Sequence, residues 1–213
     1  MAKNKKYTPL YEAILCSFSF MAFPFFIHYD FPLRFIAFGA LLPPAYIIGK
    51  NLKLFSDLKM ITGEIPAIKN FVVFSVIGST GGTLLAVLYR WHLDLTLFPH
   101  IMYSFAILGA LIGSVEELVF RGYIQGSLNS INSGFSILFS TISHTGYKCC
   151  LFLSPVITAD IHIGFIALWT FAAGLLFGII RHYTKSIVPS LIAHALFDIL
   201  VYAEYLRAPW WVW

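Results

Sequence analysis

The sequence predicts an all-α membrane protein, a polytopic bundle of about seven transmembrane helices. Three observations lead there. Of 213 residues, 59% are hydrophobic and 11% charged, with a mean hydropathy of +0.80, a mix far from that of soluble domains. Several apolar runs reach the roughly 20 residues that cross a bilayer. Few of these runs alternate with the period of a strand, so in lipid they must close their backbone hydrogen bonds internally, as helices.

The candidate spans run over 9–27, 33–49, 71–90, 98–128, 133–149, 161–181 and 186–206. They form a single integral membrane domain over 1–213, with three N-terminal helices in 1–97 and a core of four in 98–206. Basic Lys3, Lys5 and Lys6 precede the first run as in a signal peptide, but no small-residue cleavage site follows, so the first run reads as a retained helix. Pro43 and Pro44 in the second span, and Gly78, Gly81 and Gly82 in the third, are kinks and close-packing points of a kind membrane helices tolerate. The fourth run is too long for one straight crossing and either tilts or projects beyond the membrane. Segment 50–70, with Lys50, Lys53, Lys59, Lys69, Asp57 and Glu64, suits a loop or a helix lying on the membrane surface. Asp160 stands where it would cap the sixth helix.

Positive charge orients the bundle. Lys3, Lys5, Lys6, Lys50, Lys53, Lys59, Lys69, Arg181 and Lys185 fall on one side, against Arg34, Arg90, Lys148 and Arg207 on the other. The positive-inside rule then places the amino end in the cytoplasm and the carboxyl end outside, where Trp210-Trp211-Val212-Trp213 reads as an interfacial anchor. The net charge of +4 has no bearing on nucleic acid, because the lysines sit at span edges and form no stripe interleaved with aromatics. Cys16, Cys149 and Cys150 make no metal-binding spacing, and adjacent cysteines are poorly placed for a mutual disulfide. Membrane lipids are the partners this composition implies, and a prokaryotic plasma membrane is the simplest location.

The informative residues are those that lipid penalises. Glu116, Glu117 and Arg121 lie inside the fourth span, in Ser-Val-Glu-Glu-Leu-Val-Phe-Arg-Gly. Glu117 and Arg121, four apart, share a helix face and can pair as scaffolding, whereas Glu116 points about 100° away and is free for chemistry. His144 lies in the apolar fifth span, and His194 and Asp198 share a face of the last. With a rise of about 1.5 Å per residue, Glu116, His144 and His194 lie roughly 18, 17 and 12 Å from the cytoplasmic ends of their helices. Three helices thus carry polar groups at similar depth, at a greater cost than packing requires. His28, His92, His100, His162 and His182 fall at span ends and carry no role.

At these residues the chain resembles the CPBP family, the CAAX protease and bacteriocin-processing membrane proteins related to the Rce1-type prenyl protease, also called Abi. Glu116-Glu117-Leu118-Val119-Phe120-Arg121 is similar to the family's Glu-Glu-x-x-x-Arg. His144 fits the histidine of Phe-x-x-x-His, and His194-Ala195-Leu196-Phe197-Asp198 fits His-x-x-x-Asn/Asp. The resemblance covers about 98–202 and departs from the pattern at Ser140, where phenylalanine is common, and at Asp198, where many members have asparagine. An ionised Asp cannot donate a hydrogen bond, so Asp198 would have to be protonated or play another part.

The resemblance implies an intramembrane endopeptidase acting on a membrane-associated or lipidated protein or peptide. Glu116 and His144 would activate water, and His194 and Asp198 would bind the oxyanion, with Glu117 and Arg121 in support and no cofactor. Two alternatives stay open. The same Glu116, His144, His194 and Asp198 offer ligands for zinc, although no His-Glu-x-x-His helix is present. A non-catalytic membrane scaffold or immunity protein would use the charges to bind a partner helix; a transporter would show paired, interrupted halves, which the sequence lacks.

Overall fold

The computed structural model describes residues 8–52, 55–64, 67–155 and 162–206. Lys3, Lys5, Lys6, Lys53, Asp160, Arg207 and the tryptophan-rich end lie outside them. The described residues are all-helical, in the order α1 (Thr8–Phe26), α2 (Arg34–Ala40), α3 (Leu42–Asn51), α4 (Phe55–Thr62), α5 (Ile68–His92) and α6 (Phe105–Glu117). A π-helical stretch, Leu118–Gln125, then leads through α7 (Gly126–Leu128) to α8 (Ser133–Leu153), α9 (Ile163–Thr184) and α10 (Val188–Tyr202).

Of these, α1, α5 and α9 are long and apolar enough to cross a membrane by length and composition. These three do not by themselves confirm the expected count of seven. The second run breaks at Leu41 into α2 and α3, because Pro43 lacks the N–H that would continue the ladder. The fourth starts at Phe105 instead of 98: Pro99 interrupts it, and the Tyr103 N–H donates to the Ala203 carbonyl at 2.7 Å, across to the end of α10. The last run stops as a helix at Tyr202. Segment 50–70 contains the short helix α4. The cap of α9 is His162, whose side chain accepts from the Phe165 N–H at 3.3 Å.

The distribution of polarity is inverted relative to a water-soluble bundle. Ile107, Leu111 and Val115 form an outward stripe on α6, while Glu116 and Glu117 at its end are buried. An apolar exterior over a polar interior is what lipid as solvent requires, and the protein is an integral membrane protein.

Close backbone approach sets the positions of the helices that carry the polar groups. A Cβ on Gly78 would strike the Pro189 carbonyl, and one on Gly82 the Ala193 carbonyl. Small residues four apart let α5 and α10 touch backbone to backbone, one residue away from His194. On the other flank α1 packs on α8, where the hydroxyls of Ser17 and Ser143 hydrogen-bond at 2.9 Å.

Candidate active site

Glu116 and Glu117 are the last two residues of α6, immediately before the winding widens to π. Such segments recur at functional sites because they re-aim side chains within a continuous helix. Glu117 Oε1 meets Arg121 Nη1 at 3.1 Å, both fully buried, which is the expected pairing at a spacing of four. The same oxygen also meets His194 Nδ1 at 3.0 Å, so Glu117 holds a site residue of α10 as well as its own helix.

His144 is gripped on both ring nitrogens. Arg121 Nη1 lies 3.0 Å from Nδ1, and Glu116 Oε2 lies 3.0 Å from Nε2. A guanidinium can only donate, so Nδ1 is the acceptor and the ring proton sits on Nε2, directed at Glu116. Arg121 thereby sets the tautomer of His144, a task beyond the ion pair the sequence gives it. On α10, His194 Nε2 faces Asp198 Oδ2 at 3.6 Å and Glu116 Oε2 at 4.0 Å, distances of electrostatic proximity rather than hydrogen bonding.

All four expected site residues, from α6, α8 and α10, thus come together with Glu117 and Arg121. Room for them is made by Gly113: a Cβ there would collide with Asp198 Oδ2 and the His194 ring. The departure at Ser140 also has a local explanation. Its hydroxyl donates to the Phe120 carbonyl at 2.8 Å, and the Phe120 ring, from the π segment, lies against His144 with centroids 4.8 Å apart. The nearer aromatic neighbour of this histidine thus comes from another helix, and Tyr147 of α8 stacks on it at 6.5 Å.

One residue stands where the sequence did not put it. Lys148, assigned to the outer edge as a topology charge, is inside the bundle with Nζ 2.5 Å from Glu116 Oε1. It follows His144 by four, so the spacing that linked His194 to Asp198 would have placed it on the same face. His144, Lys148, His194 and Asp198 line one cavity of about 100 Å³, whose remaining wall includes Phe152, Phe165, Trp169 and Phe197. Among the described residues, no group of three or more His, Cys, Asp or Glu is arranged to hold a metal ion.

A membrane bundle in which two histidines and an aspartate line a half-aromatic cavity, with buried glutamates bonded to both histidines, has the make-up of a membrane-embedded protease, a hydrolase working inside the bilayer. Residues 96–200, about half the chain and all three motifs, match the family described as type II CAAX prenyl endopeptidase Rce1-like, and the chain belongs to that family. No curated protein and no solved structure was found to match it.

Proposed function

We propose that this chain is an intramembrane endopeptidase that hydrolyses a peptide bond of a membrane-associated or lipidated protein or peptide, with Glu116 as general base. The observation that carries the reading is the convergence of three helices on one site: His144, His194 and Asp198 line a single cavity, and Glu116 lies directly behind its wall, against His144 and Lys148. A water beside Glu116 gives up a proton to its carboxylate as the water oxygen bonds to the scissile carbonyl carbon. The Nε2–H of His144, directed at Glu116 Oε2, fixes the carboxylate's orientation. The proton taken by Glu116 then passes to the leaving nitrogen as the C–N bond breaks. His194 and Asp198, which line the cavity, border the place where oxyanion charge develops, and a dry cavity strengthens any donor aimed there. The aromatic wall of Phe152, Phe165, Trp169 and Phe197 favours a bulky apolar side chain or a lipid group on the substrate.

Support for chemistry without a metal comes from the commitments of the groups themselves. With Nδ1 of His144 accepting from Arg121, its Nε2 carries the proton and has no lone pair for a metal, and one oxygen of Glu116 meets an ammonium group. The lysine and arginine distribution supports a cytoplasmic amino end.

The test compares new peptide termini by mass spectrometry in membranes expressing wild type or Glu116→Gln, with and without a zinc chelator. Termini present only with wild type and insensitive to the chelator are expected. Identical lists from equally expressed proteins favour a scaffold, and chelator-sensitive termini restored by zinc favour the metalloprotease.

A further inference from the structure

Position 198 poses a chemical problem. The motif's alternative there, asparagine, carries an amide N–H₂ that can donate to an oxyanion, and the aspartate found here has none when ionised. Asp198 is buried, with His194 Nε2 3.6 Å from its Oδ2, so an ionised carboxylate in that place repels the negative charge the reaction builds. Something else in the cavity must donate, and something must offset Asp198.

Lys148 is the one additional cation lining this cavity among its described residues. Its Nζ touches Glu116 Oε1, it lines the same cavity as Asp198, and a fifth of its side-chain surface is open. An ammonium carries three N–H donors on a stem that rotates, so contact with Glu116 leaves two for another acceptor. Arg121 cannot serve, because it is fully buried behind Glu117 and His144.

We propose that Lys148 is a further catalytic residue: its ammonium donates to the oxyanion of the tetrahedral intermediate and offsets the charge of Asp198, so that the Lys148 and Asp198 pair does the work of a neutral amide donor. When the water oxygen bonds to the carbonyl carbon, the C=O π pair moves onto oxygen, and that oxyanion accepts from Lys148 Nζ–H while Glu116 holds the water's proton. Collapse re-forms C=O, breaks C–N and returns the proton from Glu116 to nitrogen; Lys148 keeps its protons throughout. This rests on the endopeptidase reading above.

A double-mutant cycle tests it, with cleavage of a quenched fluorescent, S-farnesylated peptide by purified protein in detergent, or of a peptide spanning a terminus found in the membrane comparison. The variants are Lys148→Met, Asp198→Asn, the two combined, Lys148→Arg and Glu116→Gln, each checked for thermal unfolding. Loss of one oxyanion donor costs about 10²–10³ in kcat. Lys148→Met is therefore expected to lower kcat at least 100-fold with little change in KM. In the Asp198→Asn background the same change should cost less than about tenfold, because the amide then donates. Lys148→Arg should keep more activity than Lys148→Met. Equal losses in both backgrounds, or Lys148→Met within threefold of wild type, overturn the proposal while leaving the endopeptidase intact. Wild type indistinguishable from Glu116→Gln overturns both. A Lys148→Met protein that unfolds is covered by the combined variant: recovery of cleavage there supports the pair, and its absence in a folded combined variant overturns it.

Discussion

Two arginines, Arg90 and Arg121, are almost wholly buried in this bundle, and they are held in opposite ways. Arg90, at the end of α5, has a partner on every nitrogen: Nε donates to the Thr96 carbonyl at 2.6 Å, Nη1 to the Leu200 carbonyl at 2.9 Å, and Nη2 to Glu204 Oε2 at 2.8 Å and Thr96 Oγ1 at 3.2 Å. The His100 N–H completes the knot on Glu204 Oε1 at 3.0 Å. Arg121 concentrates its contacts on Nη1, shared between Glu117 and His144, while its Nε and Nη2 and Glu117 Oε2 find no hydrogen-bond partner among the described residues. Buried polar groups in a purely structural knot are satisfied. Where they are left short of partners, part of the polarity is directed at something other than folding. The Arg90 cluster ties the start of the 93–104 connection to the end of α10, and the Arg121 cluster orients His144 and His194.

Four changes can break or sharpen this contrast. The largest effect is expected from Arg121→Lys, which keeps a charge for Glu117 but loses the rigid fork that reaches His144 Nδ1. Activity should fall on the order of 100-fold or more, since a catalytic histidine in the wrong tautomer can cost about 10⁴-fold. Nitrogen-15 shifts of the His144 ring should show mixed tautomers, and an unchanged Nε2–H signal would remove Arg121 from that role. Next, Gly113→Val inserts methyl groups where Asp198 and the His194 ring already lie. Cleavage should drop at least about tenfold, with a stability loss of about 1–3 kcal/mol, read by activity assay and thermal unfolding together.

The other two changes probe the structural knot. Arg90→Leu should cost on the order of 3 kcal/mol of stability while leaving the activity of each folded molecule unchanged; a large fall in specific activity at full folding would mean the two clusters are coupled. Smallest of all is Glu204→Gln. The Arg90 guanidinium and the His100 N–H hold the Glu204 carboxyl below its ordinary value of 4.5. Its contribution is therefore present above that value and lost as the pH falls through the lowered one. Wild type should lose more thermal stability than Glu204→Gln on acidification from about pH 5 to pH 3, and parallel losses would show that the knot is not held by charge.

Much of the site was legible because its residues are out of place. Glu116, Glu117, Arg121, His144, His194 and Asp198 interrupt apolar runs, and the spacing of four predicted both the Glu117 to Arg121 pair and the shared face of His194 and Asp198. Lys148 was misassigned for a definable reason. Its own charge lowers the local hydropathy and ends the fifth run at 149, so it reads as an edge residue, whereas α8 continues to Leu153 and carries it inside. Arg90 was misread in the same way, as a topology charge, because hydropathy records where charge occurs and not what it bonds. Gly113 gave no signal at all: one of two glycines among the apolar and small residues of α6, it shows its purpose only when α10 lies against it.

The sequence by itself determined the helical membrane fold class, the family and the helices that carry ionisable groups. The cost of a charge in lipid is local to each residue, and spacing along one helix is fixed by its geometry. Only the tertiary structure decided that the fourth run begins at Phe105, that Glu117 reaches His194, that Arg121 selects the tautomer of His144 and that Lys148 sits on Glu116. Those contacts depend on how α6, α8 and α10 are rotated and how closely they approach, which is set by glycines and carbonyls on facing helices, and periodicity within one helix carries no record of its neighbour.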